Sequence, residues 1–96
     1  MRRRHVGDVR HLRNPTNGKV EPASRVTGIV SAEPLQGEWG GYEFEAWLEE
    51  DLQDTQERYI SFPYYRNGLL AGQTSMRAPV AAVRQLFERI VQAGWL

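Results

Sequence analysis

The clearest pattern of apolar and polar positions in this chain is an alternation over residues 42–49. Successive side chains of an extended strand point to opposite faces, so the alternation predicts a strand with two unlike faces. One face carries Tyr42, Phe44, Ala46 and Leu48, and the other carries Glu43, Glu45, Trp47 and Glu49. We expect the first face to lie on the core and the second to be exposed.

Three other segments favour strands, because runs of β-branched, aromatic or apolar residues are bounded there by residues that form turns. They are residues 25–32, residues 58–65 and residues 69–71. Gly28 indicates a bulge or a close backbone approach in the first segment, and Pro63 places the second at a sheet edge or a bulge. The pair of Asn67 and Gly68 predicts a tight hairpin before the third segment.

A different spacing, typical of an amphipathic helix, begins near Pro79. Apolar positions recur there three or four residues apart and predict one buried stripe. That stripe consists of Val80, Val83, Leu86, Phe87, Ile90 and Val91. Because proline suits the first turn of a helix and glycine suits its end, we expect a helix between Pro79 and Gly94. We expect Trp95 and Leu96 to fold back onto the sheet.

Together these elements predict an α+β fold, in which a three- to four-stranded antiparallel meander packs on one C-terminal amphipathic helix in the order ββββα. A sheet this small needs a cover on one face to be stable. Residues 1–24 show no sustained period and are rich in arginine and turn-forming residues. We expect them to form an irregular N-terminal basic arm, with a single domain spanning residues 25–96.

The charged residues fall into blocks, although the net charge of the 96-residue chain is zero. Residues 1–25 hold seven basic and two acidic side chains, a charge of +5. Residues 26–57 hold nine acidic side chains and no basic one, a charge of −9. Residues 58–96 hold five basic side chains and one acidic side chain, a charge of +4. This layout is the least generic property of the sequence.

The residue types also exclude some classes of protein. The chain has no cysteine, which excludes disulfides, thiolate catalysis and cysteine zinc sites. An absence of cysteine suits the reducing cytoplasm, where we expect the protein to be located. No apolar run is long enough to span a membrane, and the N-terminal arginines are not followed by the apolar segment of a secretory signal.

The acidic and aromatic residues of the middle block indicate a surface for another protein. Exposed aromatic side chains anchor interfaces, whereas carboxylates repel nucleic-acid phosphates. We therefore expect a non-catalytic binding module with a basic partner, or a homodimer that packs two such faces. The candidate partner-binding residues are Trp39, Glu43, Glu45, Trp47, Glu49, Glu50, Asp51, Asp54, Tyr59 and Tyr65. In the alternative arrangement, the N-terminal arm crosses this face and its arginines pair with the glutamates.

The arginine-rich arm supports a second hypothesis, that the chain is a nucleic-acid-binding accessory protein. The candidate residues are Arg2, Arg3, Arg4, Arg10 and Arg13. Such arginines would neutralise phosphates without sequence preference, and the affinity would fall with salt. The near-neutral pI of about 6.7 counts against this hypothesis, because dedicated nucleic-acid binders are usually basic.

Catalysis is the third hypothesis, in the form of a small enzyme with a carboxylate-lined cleft. No catalytic residue is predicted, because His5 and His11 lie in the arm and no serine has the sequence context of a nucleophile. No metal ligand or cofactor is predicted either. Residues 49–57 are acidic, but they lack the central glycine and the flanking helices of a calcium-binding loop.

Overall fold

The structure of the chain is a computed structural model that describes residues 3–54, 56–71 and 77–96. Within these residues it contains one antiparallel sheet and one α-helix. The strands are β1 (Val9–Arg13), β2 (Val20–Ser31), β3 (Tyr42–Asp51), β4 (Arg58–Ser61), β5 (Tyr64–Arg66) and β6 (Leu69–Leu70). A 3-10 turn at Gly37–Trp39 precedes β3, and the helix α1 spans Val80–Gln92. The predicted α+β class and C-terminal helix are confirmed, with six strands described in place of three to four.

β3 is the centre of the sheet, because it pairs antiparallel with β2 on one side and with β4 and β5 on the other. Trp47 lies opposite Ser61 and Phe44 lies opposite Tyr64, so the register continues unchanged from β4 into β5. The two short strands are separated at Pro63, which has no N–H to donate. Among the described strands, β4 pairs only with β3 and therefore lies at a sheet edge, as Pro63 predicts.

The N-terminal residues are more regular than the predicted irregular arm. β1 and the first residues of β2 form a hairpin in which Arg10 lies opposite Ser24. The N–H of Gly18 closes its turn by donating to the carbonyl of Asn14 at 2.8 Å. Five residues are too few to reveal a period, and the neighbouring strand supplies the backbone hydrogen bonds that stabilise β1. The sheet therefore extends into residues 9–13 and 20–24, which the sequence had assigned to the arm.

Both of the properties predicted for Gly28 occur in the structure. The register between β2 and β3 shifts between Val26 and Gly28, which marks a bulge. A Cβ atom at position 28 would come within 2.7 Å of the Trp95 ring, so a glycine is needed for this tryptophan to pack there. Trp95 therefore folds back onto the sheet as expected, whereas Leu96 is exposed.

The apolar core lies between α1 and one face of the sheet. Its buried members are Phe44, Ala46, Ala82, Leu86 and Ile90. Partly buried residues that pack against them include Trp39, Tyr42, Ile60, Phe62 and Tyr64. The predicted core face is therefore confirmed for Tyr42, Phe44 and Ala46, whereas Leu48 is half-buried and lies outside this cluster.

The helix meets this core on a face that is rotated from the predicted stripe. Leu86 and Ile90 are buried as predicted. Ala82, which is not part of the predicted stripe, is buried as well. The exposed members of the predicted stripe are Val80, Phe87 and Val91, at 74%, 51% and 62% of their full exposure. Aromatic side chains from the sheet fill the contact, so the small side chain of Ala82 fits against them with less crowding than a valine would.

Candidate functional site

The face of the sheet opposite α1 is lined by the second side of β3, as the alternation predicts. We call it the carboxylate face and define it by Glu43, Glu45, Trp47 and Glu49 of β3 with Tyr65 of β5. The expectation that this face is exposed is wrong. Trp47 and Glu49 are 2% exposed, Glu45 is 3% exposed and Tyr65 is 0% exposed. The contacts of each buried group explain how the face is covered.

Glu45 is held by donors from three parts of the chain. Its Oε1 accepts a hydrogen bond from Trp47 Nε1 at 2.9 Å. Its Oε2 accepts hydrogen bonds from Arg3 Nη1 at 3.0 Å and from Ser31 Oγ at 3.3 Å. A carboxylate is tolerated in a buried position only when it is paired and hydrogen-bonded, and these three donors satisfy that condition.

Arg3 joins three members of the carboxylate face. It donates to Glu45, it forms an ion pair with Glu43, and its guanidinium carbon lies 4.4 Å from the centre of the Tyr65 ring. The hydrogen bond to Glu43 raises the pKa of Arg3 above its ordinary value, although burial acts in the opposite direction. Arg3 therefore stays charged and covers this end of the face as a cation matched by two carboxylates.

Glu49 is a second buried carboxylate, four residues after Glu45 in β3. Its two oxygens accept hydrogen bonds from Arg10 Nη1 at 3.1 and 3.0 Å. Ser24 Oγ donates to Oε1 at 2.8 Å, and Ser61 Oγ donates to Oε2. The guanidinium of Arg10 also lies 5.8 Å from the centre of the Trp47 ring. Glu49 thus connects β1, β2 and β4 to the central strand.

Tyr65 is buried beneath the N-terminal residues. The backbone N–H of Arg4 donates to its hydroxyl at 3.0 Å. Burial raises the pKa of Tyr65, and the hydrogen bond from Arg4 opposes this with a smaller effect. Val26 and Trp47 complete a second buried cluster with this tyrosine. The structure therefore shows the alternative arrangement, in which the N-terminal residues cross the face and their arginines pair with its glutamates.

The arginines assigned to nucleic-acid binding are divided among separate contacts. Arg3 and Arg10 pair with buried carboxylates, and Arg13 Nη1 donates to the Gly18 carbonyl at 2.6 Å. Arg4 is half-buried, and Arg2 lies outside the described residues. The described arginines of this set therefore do not form one exposed basic surface.

The exposed part of the predicted partner-binding set lies at the turn between β3 and β4. This part consists of Glu50, Asp51, Asp54 and Tyr59; together with the neighbouring Glu57, which is not in the predicted set, we call these residues the acidic hairpin. Asp51 Oδ1 accepts hydrogen bonds from the backbone N–H groups of Gln53 at 2.7 Å and Asp54 at 3.1 Å. Asp51 Oδ2 accepts one from the Tyr59 hydroxyl at 2.9 Å.

These hydrogen bonds move the pKa values of both partners further from neutral pH. The N–H of Gln53, followed by the Tyr59 hydroxyl and the N–H of Asp54, lowers the pKa of Asp51 below its ordinary value. The same carboxylate raises the pKa of Tyr59 by accepting its hydrogen bond. At neutral pH the hairpin therefore presents an ionised Asp51 beside a neutral phenol held in one orientation.

The neighbouring strand β2 supports the acidic hairpin from one side. Arg25 Nη1 donates to Glu50 Oε1 at 3.2 Å. The N–H of Leu52 donates to the carbonyl of Ala23 at 3.0 Å, just beyond the end of β3. The base of the hairpin is therefore part of the sheet.

The two remaining residues of the predicted set lie in different places. Trp39 packs in the apolar core, with its ring centre 5.3 Å from that of Tyr42 and 5.8 Å from that of Phe44. Glu43 stays partly exposed at the rim of the carboxylate face, where Arg3 binds it. The predicted set is thus divided between the core, the buried carboxylate face and the acidic hairpin.

Sequence reasoning missed one surface, the exposed apolar side of α1. The pattern of apolar positions predicts a single stripe that packs on the core. Together with Ala82, the apolar positions of the stripe span about half of the helix circumference. A helix that packs on one sheet buries a narrower arc than this. The width of this arc was the signal that part of the stripe would remain outside the core.

Comparison with protein-family models, with curated proteins and with solved structures found no match for this chain. Among residues 3–54, 56–71 and 77–96, no group of three or more histidine, aspartate or glutamate side chains is placed to hold a metal ion. The same residues contain no helix that combines the length and the hydropathy needed to cross a membrane.

Proposed function

We propose that the chain is a non-catalytic cytoplasmic binding module that contacts another protein through the acidic hairpin. The observation that supports this proposal is the hydrogen-bonded pair of Asp51 and Tyr59. Tyr59 is 47% exposed, yet its hydroxyl is held by Asp51. An aromatic side chain that is already oriented loses little conformational freedom when it binds. Tyr59 is therefore suited to act as the anchor of an interface.

The charge of the acidic hairpin favours a partner with a basic surface. Asp54 and Glu57 are exposed, and the ionised Asp51 is the last residue of β3. Charges of one sign at the rim of an interface attract the opposite sign over roughly 8–10 Å at physiological salt. This attraction would raise the rate of encounter and select against acidic proteins.

In this proposal the buried glutamates support the surface and do not contact the partner. Glu49 directly precedes Glu50 in β3, and its oxygens accept hydrogen bonds from Arg10, Ser24 and Ser61. Those contacts hold the strands beneath the hairpin in one arrangement. Binding residues on rigid elements keep their geometry better than residues on free loops.

Capture from a lysate of the source cells tests this proposal. The full chain is immobilised, and retained proteins are quantified by mass spectrometry for the wild type and two double variants. The first variant is Asp51→Asn with Asp54→Asn, and the control is Glu33→Gln with Glu38→Gln, which removes the same charge from exposed positions elsewhere. We expect a basic protein that the wild type and the control retain but the first variant retains about tenfold less.

Two outcomes of this experiment would contradict the proposal. Equal retention by the first variant would show that the acidic hairpin is not the contact surface. Retention of nucleic acid in place of protein, with an affinity that falls steeply with salt, would favour the arginine hypothesis. Thermal unfolding of both variants verifies that a lost partner does not reflect a lost fold.

A further inference from the structure

The exposed apolar residues of α1 form a second surface that shares no residue with the acidic hairpin. We call it the outer stripe and define it by Val80, Val83, Phe87 and Val91, which share one side of the helix at spacings of three, four and four residues. Val83 is half-buried, and the other three are at least half exposed. The ring centres of Phe87 and Phe62 are 6.2 Å apart, so the stripe adjoins the apolar core at the rim of the sheet.

The charged residues beside the outer stripe indicate what could cover it. Arg84 and Glu88 lie on the same flank of the stripe, one helical turn apart. When two identical helices pack antiparallel, equivalent flanks face each other and the order of residues is reversed. Arg84 of one copy then lies beside Glu88 of the second copy, and a two-fold axis repeats this contact.

We infer that a second copy of this chain covers the outer stripe through an antiparallel contact between the two α1 helices. Phe87 and Val83 of each copy would pack near the two-fold axis, with Val80 and Val91 towards the ends. The two pairs of Arg84 and Glu88 would favour the antiparallel direction over a parallel one, because in a parallel arrangement equivalent flanks do not face each other and neither pair can form. The zero net charge of the chain imposes no long-range repulsion between copies.

Sedimentation velocity of the full chain over a range of concentrations tests this inference. The wild type is expected to approach twice the 11.0 kDa chain mass as the concentration rises. Phe87→Ser should weaken dimerisation by about tenfold or more, because it removes a central apolar contact, and Val91→Ser should weaken it less, because it removes a contact towards the end of the stripe. The control Leu69→Ser removes an equally exposed apolar side chain in β6 and should dimerise like the wild type. Circular dichroism verifies the helix in each variant.

The direction of the contact is tested by exchanging the two charges. Arg84→Glu alone and Glu88→Arg alone should each weaken dimerisation, because they place like charges opposite each other. The double variant with both substitutions should restore it. A wild type that stays monomeric at every concentration would overturn the inference, even if another protein covered the outer stripe. A dimer that none of the α1 substitutions weakens would also overturn it, and neither result bears on the acidic hairpin.

Discussion

The two faces of the sheet are covered by different chemistry. Under α1 the contact is apolar, with Phe44 of β3 buried against Leu86 of the helix. On the carboxylate face the same strand presents glutamates, and the cover includes Arg3 and Arg10. An apolar contact tolerates repacking if volume is kept, whereas a buried carboxylate depends on each of its donors. The two faces should therefore respond differently to substitution and to pH.

The largest effect is expected on the apolar face. Phe44→Ala should lower the free energy of unfolding by about 3–5 kcal/mol, because it leaves a cavity beneath the helix. The control Leu69→Ala shortens an exposed side chain in β6 and should cost about 1 kcal/mol or less. Urea denaturation measures both values. Equal losses would show that the apolar face is not the main core.

A smaller loss is expected on the carboxylate face. Glu49→Ala should lower the free energy of unfolding by about 2–3 kcal/mol, because Arg10 and two serine hydroxyls lose their acceptor. Because Arg10 is partly exposed, water can solvate its unpaired guanidinium and reduce the free energy lost in this variant. The double variant Arg10→Met with Glu49→Leu removes both charges and should recover most of the loss. If the double variant is as unstable as the single one, the unpaired cation is not the cause.

The smallest effect is expected at alkaline pH, where tyrosine titration separates the two regions. Burial raises the pKa of Tyr65, and Asp51 raises that of Tyr59, so both phenols should ionise above the ordinary value of about 10. Their contribution to stability is fully present below the pKa of the unfolded chain and is lost as the pH rises through the folded values.

Ultraviolet absorbance of the phenolate follows these two titrations. Asp51→Asn should return the pKa of Tyr59 towards its ordinary value and leave the pKa of Tyr65 unchanged. Tyr65→Phe should remove the Tyr65 titration and leave the Tyr59 titration in place. If Asp51→Asn changed the pKa of both tyrosines, the titration of Tyr65 on the carboxylate face would not be independent of the acidic hairpin.

The parts of the fold that sequence could predict depend on residues close together in the chain. The alternation of residues 42–49 correctly predicted which side chains share the carboxylate face of β3, although it did not predict that this face is buried. The hairpin at Asn67 and Gly68 is another such case, because both residues adopt the positive φ angles, 51° and 79°, that a tight hairpin turn favours. In each case the local pattern and the structure agree because residues that are adjacent in the chain determine the backbone conformation.

The parts that sequence could not predict depend on distant residues. Arg3 and Glu45 are 42 positions apart, and no periodic signal connects them. The burial of the carboxylate face, and with it the division of the predicted binding set, follows from such pairs. The rotation of α1 has a similar cause, because the aromatic residues of the sheet decide whether Ala82 or Val80 fits beneath them. The exposed acidic hairpin could be predicted because its charges lie together in one turn.

Hydrogen exchange of the Trp47 indole N–H tests most directly whether the N-terminal arginines cover the carboxylate face. This group is buried and donates to Glu45, which Arg3 also binds. We predict that it exchanges about a hundredfold more slowly than an exposed indole, and that Arg3→Ala accelerates it while the control Arg13→Ala does not. A Trp47 indole that exchanges in the unsubstituted chain as fast as an exposed one would contradict the account.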